Sequence, residues 1–421
     1  MTDPPPAAPD PSPHALFAQP DFVRFQLARF VSTVGTQVSS VAVGWEVYER
    51  TRSKLDLGYV GLAQFVPGVA LALVTGAVAD RFDRRRVVAL CHAATALCYA
   101  ALWALSRARP ASLAPVFATL VAFGATRAFL GPANQSLLPR LVPPAQLGQA
   151  LAMGSTVWQV AAVSGPALGG LLFGLHRGGA YLVSAACALT SAALALSLGV
   201  SGAPTTAPPR RPGWDELLAG VRYVRGNPVV LGAVTLDLFA VLLGGAVALL
   251  PVFARDVLHA GVLGLGAMRA APAVGAGLMA LWLAYRPLGR RAGKTLLVAV
   301  GVFGAATVAF ALSRDVALSA AALAVTGAAD MVSVVVRQHV VQLATPDAMR
   351  GRVSAVNLVF ISSSNELGEF ESGVTAEWLG PVKAALLGGV GTLLVVALWW
   401  RFFPGLRDVD RLSDLRAKEP A

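Results

Sequence analysis

Apolar residues in this chain do not alternate with polar ones. They run in long stretches, each ended by charged residues or by proline and glycine. The runs fall near 22–48, 57–79, 86–106, 111–137, 146–174 and 178–200, and again near 228–254, 262–285, 294–312, 316–342, 353–380 and 382–403. Each approaches the roughly 20 residues that a helix needs to cross a hydrocarbon core about 30 Å thick. In lipid every backbone N–H and C=O must be bonded inside the protein, and an apolar run meets that demand as a helix. The expected fold is an all-α membrane protein with 12 transmembrane helices in two sets of six.

The stretches between runs set the organisation. Residues 1–20 (MTDPPPAAPDPSPHALFAQP) are Pro-rich and lack the basic and apolar segments of a signal peptide, so they read as a disordered cytoplasmic tail. Residues 201–227 are the longest polar break. After a Pro-rich start, Trp214, Leu217, Leu218, Val221 and Val224 recur opposite Asp215, Glu216, Arg222 and Arg225, the pattern of a short helix lying on a membrane surface. The chain divides into a tail (1–20), a six-helix bundle (21–200), a linker (201–227), a second six-helix bundle (228–404) and a second tail (405–421). A shift of 203 residues pairs Gly124 with Gly327, Gln135 with Gln338, Pro143 with Pro346, Gly165 with Gly368 and Gly170 with Gly373. Their order along two helices and the loop between them points to a parallel duplication, as in transporters that rock two related halves about a central path.

Composition agrees: of 421 residues 56% are hydrophobic and only 14% charged, and the mean hydropathy of +0.64 lies outside the soluble range. The net charge of +11 sits in short clusters between apolar runs rather than on one basic face, which argues against nucleic acid. One set of connecting segments, with Arg81, Arg84, Arg85, Arg86, Arg290, Arg291, Arg350 and Arg352, carries more than twice the positive charge of the other, with Arg50, Arg52, Lys54, Arg107, Arg177 and Arg255. That asymmetry places both termini in the cytoplasm. Cys91, Cys98 and Cys187 all lie inside apolar spans and read as small buried hydrophobes. The five histidines (His14, His92, His176, His259, His339) lack metal-ligand spacing, so neither metal, cofactor nor enzyme chemistry is expected.

The turn after the second run reads Gly76, Asp80, Arg81, Phe82, Asp83, Arg84, Arg85. Glycine permits close helix approach, and an aspartate at a neighbouring helix N-terminus is favoured by the dipole. This turn resembles the signature loop of the major facilitator superfamily, with Asp83 where that loop usually has glycine. The resemblance implies a gating latch at Gly76, Asp80, Arg81, Arg84 and Arg85. The matching turn in the second half keeps Arg286, Arg290 and Arg291 but lacks the Gly and Asp. Its GRRAGKT is no phosphate loop, since Gly289 and Gly293 enclose too few residues, so ATP is not expected as a partner. The fifth run contains SGPALGG, in which Gly165, Pro166, Gly169 and Gly170 resemble the motif associated with antiporters of the superfamily; ordinary close packing is the competing reading.

The eleventh run reads SSSNELGEFESG and places Glu366, Glu369 and Glu371 near mid-bilayer. An ionised carboxylate there costs a few kcal/mol, so such groups face a cavity, meet a cation or hold a proton. Glu366 and Glu369 share a helix face and repel each other when both are charged, which suits them to carry a proton. Asp330 and Asp237 are further acids, and Arg127, Arg269 and Arg337 are the basic partners. A buried ion-pair network that only holds helices together is the alternative. Gln37, Gln135, Gln159 and Asn365 are candidates for a substrate cavity, because an intramembrane amide needs a partner. This acidic stretch, TRAFLGPANQSLLPRLVPP and TPDAMRGRVSAVN resemble the branch of the superfamily that contains the enterobactin exporter and actinobacterial multidrug efflux pumps. The resemblance implies a monomeric bacterial inner-membrane antiporter exporting small amphipathic molecules, drugs or siderophores, in exchange for protons. An uptake symporter of the same fold and a non-transporting membrane sensor are the rivals.

Overall fold

The computed structural model describes residues 14–199, 214–286 and 290–410. The expected gating-loop residues Gly76 and Asp80 lie within a helix, but their side chains are outside the described ones. The Pro-rich part of the linker and residues 411–421 also lie outside.

The first half comprises α1 (Pro20–Thr51), α2 (Lys54–Arg81), α3 (Arg84–Ala108), α4 (Ala114–Leu137), α5 (Leu147–Leu175) and α6 (Gly179–Leu196). A connecting helix α7 (Trp214–Gly226) leads to α8 (Pro228–Leu243), α9 (Gly261–Tyr285), α10 (Ala292–Leu312), α11 (Val316–Leu343), α12 (Asp347–Leu379) and α13 (Pro381–Phe402). Among the described residues 9 helical segments are long and apolar enough to cross a membrane. The other long helices, α1, α2 and α12, span 32, 28 and 33 residues.

Side-chain caps start several helices. Ser53 accepts from Asp56 N at 3.1 Å, Asn227 from Val229 N at 3.1 Å and Asp315 from Leu318 N at 2.8 Å. Such caps satisfy amides that have no partner inside the helix. Asp83, the departure from the superfamily loop, caps α3 by accepting from Arg85 N at 2.9 Å and Arg86 N at 3.4 Å.

The two halves share one packing scheme. In the first, α1 packs on α5 and α6, α2 on α4, and α3 on α4 and α6; in the second, α8 packs on α12 and α13, α9 on α11, and α10 on α11 and α13. The halves meet along α5 against α9 and, equivalently, α12 against α2. Backbone approach explains the aligned glycines. A Cβ on Gly170 would stand 3.1 Å from Gly266 Cα, and one on Gly373 would stand 3.0 Å from Gly58 Cα.

Three expectations change. The run at 228–254 is not one helix: α8 stops at Leu243, and Gly244–Gly245 lead into a 3₁₀ turn (Ala246–Leu249) and a π turn (Phe253–Val257). A side chain on Gly245 would meet the Gly368 carbonyl carbon at 2.7 Å, so the bend brings this backbone against α12. The tails are shorter than expected, because His14–Phe17 is helical with Leu16 buried beside Phe22 and Phe25, and Leu406 and Val409 are buried in the second half. On α7, Val224 packs with Val353 and Val356 of α12, so part of the apolar face expected on the membrane surface covers protein instead; Arg222 and Arg225 stay exposed.

Candidate functional site

Two cavities lie side by side in the bundle. The first, about 180 Å³, is polar: α1 contributes Thr36, Gln37, Ser39 and Ser40, α2 Gln64, α3 Tyr99 and α4 Arg127. Its far wall comes from the other half, with Arg269 of α9 and Glu366 and Glu369 of α12. The second, about 260 Å³, is more apolar and belongs to the second half, with Val241, Phe303, Leu323 and Ile361 beside Asp237, Asp330, Arg337 and Asn365. Glu369 lines both.

That position depends on a glycine. A Cβ on Gly61 of α2 would stand 2.9 Å from Glu369 Oε2 and 3.4 Å from Glu366 Oε2, so its absence lets α12 bring both carboxylates up to the first half. Arg127 from one half and Arg269 from the other both act electrostatically on Glu369. Arg269 Nη2 donates to Ser40 Oγ across the seam at 2.7 Å, and Arg127 lies over the Phe123 ring at 5.8 Å.

The other sequence candidates separate. Arg337 pairs with Asp237 inside the second half, both buried, so it is engaged away from the glutamates. Asp330 lines the apolar cavity and, with Asp237 and Ser333, a smaller one. Glu371 accepts from Thr375 Oγ1 at 2.6 Å and lines neither main cavity; Gln135 is exposed and lines neither. Gln159 donates across the seam to the Ala273 carbonyl. Gly165 packs on the Gln37 side chain and Gly169 on Val38, so the SGPALGG segment seats α5 on α1 while Gly170 meets α9. In the loop after α2, Arg81 is exposed, Arg84 is buried and Arg85 donates to the Leu198 carbonyl beyond α6.

Sequence reasoning missed a cross-half network at the end of the bundle opposite the described termini. Tyr48 Oη donates to the Asp256 carboxylate, and Arg52 pairs with Asp256 at 3.2 Å. Glu49 lies 3.9 Å from Arg255, whose guanidinium sits 5.7 Å from the Trp45 ring centroid, and Lys54 N donates to Glu377 at 3.0 Å. Each half thus gives acids to the other. Lying at run ends, these residues look in sequence like ordinary boundary charges.

Two six-helix halves with equivalent packing, joined at two equivalent seams around central cavities, define a major facilitator transporter. The chain belongs to the transmembrane secretion effector family, whose model matches residues 11–420. It is 28% identical over 388 residues to the enterobactin exporter EntS of Escherichia coli O1:K1, covering 91% of this chain and 92% of that one. It is also 28% identical over 385 residues to EntS of Citrobacter koseri, covering 90% and 91%. Among solved structures it is similar to a bacterial homologue of the human lysosomal transporter Spinster in an inward-facing, occupied conformation (TM-score 0.71, 15% identity, 92% and 97% covered). It is also similar to the nucleoside transporter NupG (TM-score 0.69, 15% identity, 91% and 99% covered). The chain is a multi-pass inner-membrane transporter and not an enzyme.

Proposed function

We propose that this protein exports small amphipathic molecules of siderophore or drug type in exchange for protons. Glu369 and Glu366 bind the proton. The carrying observation is the place of Glu369: it lines both cavities, stands at the α2–α12 seam over Gly61, and faces one arginine from each half. An ionised Glu369 attracts Arg127 across the seam and so draws the halves toward each other, while Arg269 holds it from its own half; a proton on it removes that attraction. A substrate lays its polar part among Gln37, Gln64 and Arg127 and its apolar part against Val241, Phe303 and Ile361. The EntS relatives support an exported siderophore as substrate.

With both termini cytoplasmic, as the arginine asymmetry favours, the Asp256–Glu49–Glu377 network is the outer gate and is closed here. The loop around Asp80 then controls the inner face, and transport needs no ATP and one copy of the chain.

The test is Glu369→Gln in everted vesicles, with enterobactin as probe. Proton-gradient-driven accumulation should fall to background while the folded protein stays in the membrane. Undiminished accumulation would remove Glu369 from the coupling.

A further inference from the structure

Glu46 is a largely buried acid on α1 that the exchange described above does not use. Its carboxylate accepts from Tyr181 Oη of α6 at 2.9 Å and is also hydrogen-bonded by Ser106 of α3. Arg50, one turn along α1, lies 3.9 Å away, beyond hydrogen-bond reach, and its Nη1 has no hydrogen-bond partner. Beside these groups is a cavity of about 10 Å³. That is room for one water, which would bond both the carboxylate and the orphaned guanidinium nitrogen.

Val43 and Leu102 line this small cavity and also the polar cavity that holds Glu366 and Glu369. Ser40, which bonds Arg269, and Glu46 are on the same helix, and at 1.5 Å per residue they stand roughly 9 Å apart along it. The walls of the small cavity come from α1, α3, α6 and the start of α4, all in the first half, so parting of the halves leaves it intact. Glu49, the other charged group acting on Glu46, belongs to the cross-half network beside it.

Building on the proton-exchange reading, we propose that Glu46 is a proton relay between the outer end and Glu369. Glu46 in its acid form gives its proton to the cavity water. When the side chains of Val43 and Leu102, which divide the two cavities, move aside, that water joins water in the polar cavity and the proton passes to the ionised carboxylate of Glu369. Glu46 is left as a carboxylate held by Arg50 and Tyr181, and a proton from the outer solution restores it. The small cavity and its donor lie within the first half, and only the acceptor, Glu369, belongs to the second.

The test uses the full chain in proteoliposomes and has two arms. In the first, without substrate, dicyclohexylcarbodiimide couples to carboxyls that hold a proton in apolar surroundings, and peptide mass mapping locates it. Labelling of Glu46 is expected, falling as pH rises and persisting in Glu369→Gln; a Glu46 that stays unlabelled at every pH overturns the relay. In the second, with enterobactin as probe, Glu46→Gln should lower gradient-driven flux by ~100-fold or more, the lower end of the range for a lost proton-transfer group. Gradient-free exchange of labelled for unlabelled enterobactin should persist, and Glu46→Asp should recover part of the driven flux. Equal loss of both fluxes, or undiminished driven flux, overturns the relay. Wild-type protein that moves enterobactin in neither assay overturns the exporter reading alone, because the labelling arm still decides the relay.

Discussion

At the scale of single residues, the charged groups inside the bundle divide into those locked in pairs and those open to a cavity. Asp237 and Arg337 are 6% and 3% exposed and hold each other. Removing one partner of such a pair leaves an uncompensated buried charge, so Asp237→Asn should lower stability by ~3–5 kcal/mol, whereas replacing both by leucine should cost much less. Thermal unfolding of the purified variants measures the difference; equal losses would show that the charge pairing is unimportant. Gly61 is the opposite case, a residue that acts by what it lacks. Gly61→Val should displace both glutamates and abolish driven flux without lowering the yield of folded protein, as transport and size-exclusion profiles would show. The run SSSNELGEFESG made buried acids legible in sequence. Which of them face a cavity was not, because that depends on α2 and α9, distant in the chain.

At the scale of elements, Asp83 shows how a departure from a family pattern acquires a physical reason. It replaces the usual glycine of the superfamily loop and caps α3 with two backbone contacts. Asp83→Ala should cost ~1 kcal/mol of stability and Asp83→Gly only a few tenths, read as shifts in unfolding midpoint. The seams make a second point. Gly170 meets Gly266 and Gly373 meets Gly58, while Gly124 lies against Gln64 and its counterpart Gly327 against Pro272. The duplication read from the sequence is thus matched by equivalent contacts in each half. The break of α8 at Gly244–Gly245 was not legible, since its flanks are uniformly apolar and the reason for bending is the approach of α12.

At the scale of the whole molecule, the cross-half network at the far end is the structural counterweight to the central charges. Asp256 takes a hydrogen bond from Tyr48 and an ion pair from Arg52, both from the other half. Asp256→Asn should weaken the closed form by ~1–2 kcal/mol, shifting its ratio to the open form roughly 5–30-fold. A cysteine at Ser40, labelled with an impermeant maleimide from the outer side, reads the change. No gain in labelling would show that these contacts accompany closure without favouring it. None of this network was legible in sequence, because a charge at the end of an apolar run is first explained by topology.

The sequence by itself determined the all-α membrane fold, the duplicated halves and the presence of costly buried acids. Those features follow from local demands: backbone bonding in lipid, the length of a bilayer crossing and the penalty on unsolvated charge. Only the tertiary structure decided that Glu369 stands between two cavities, that Arg337 is engaged elsewhere, and that Glu46 and Asp256 belong to the far end. Such assignments depend on which helices approach within a few ångströms, and that is set by the packing of glycine faces from distant parts of the chain.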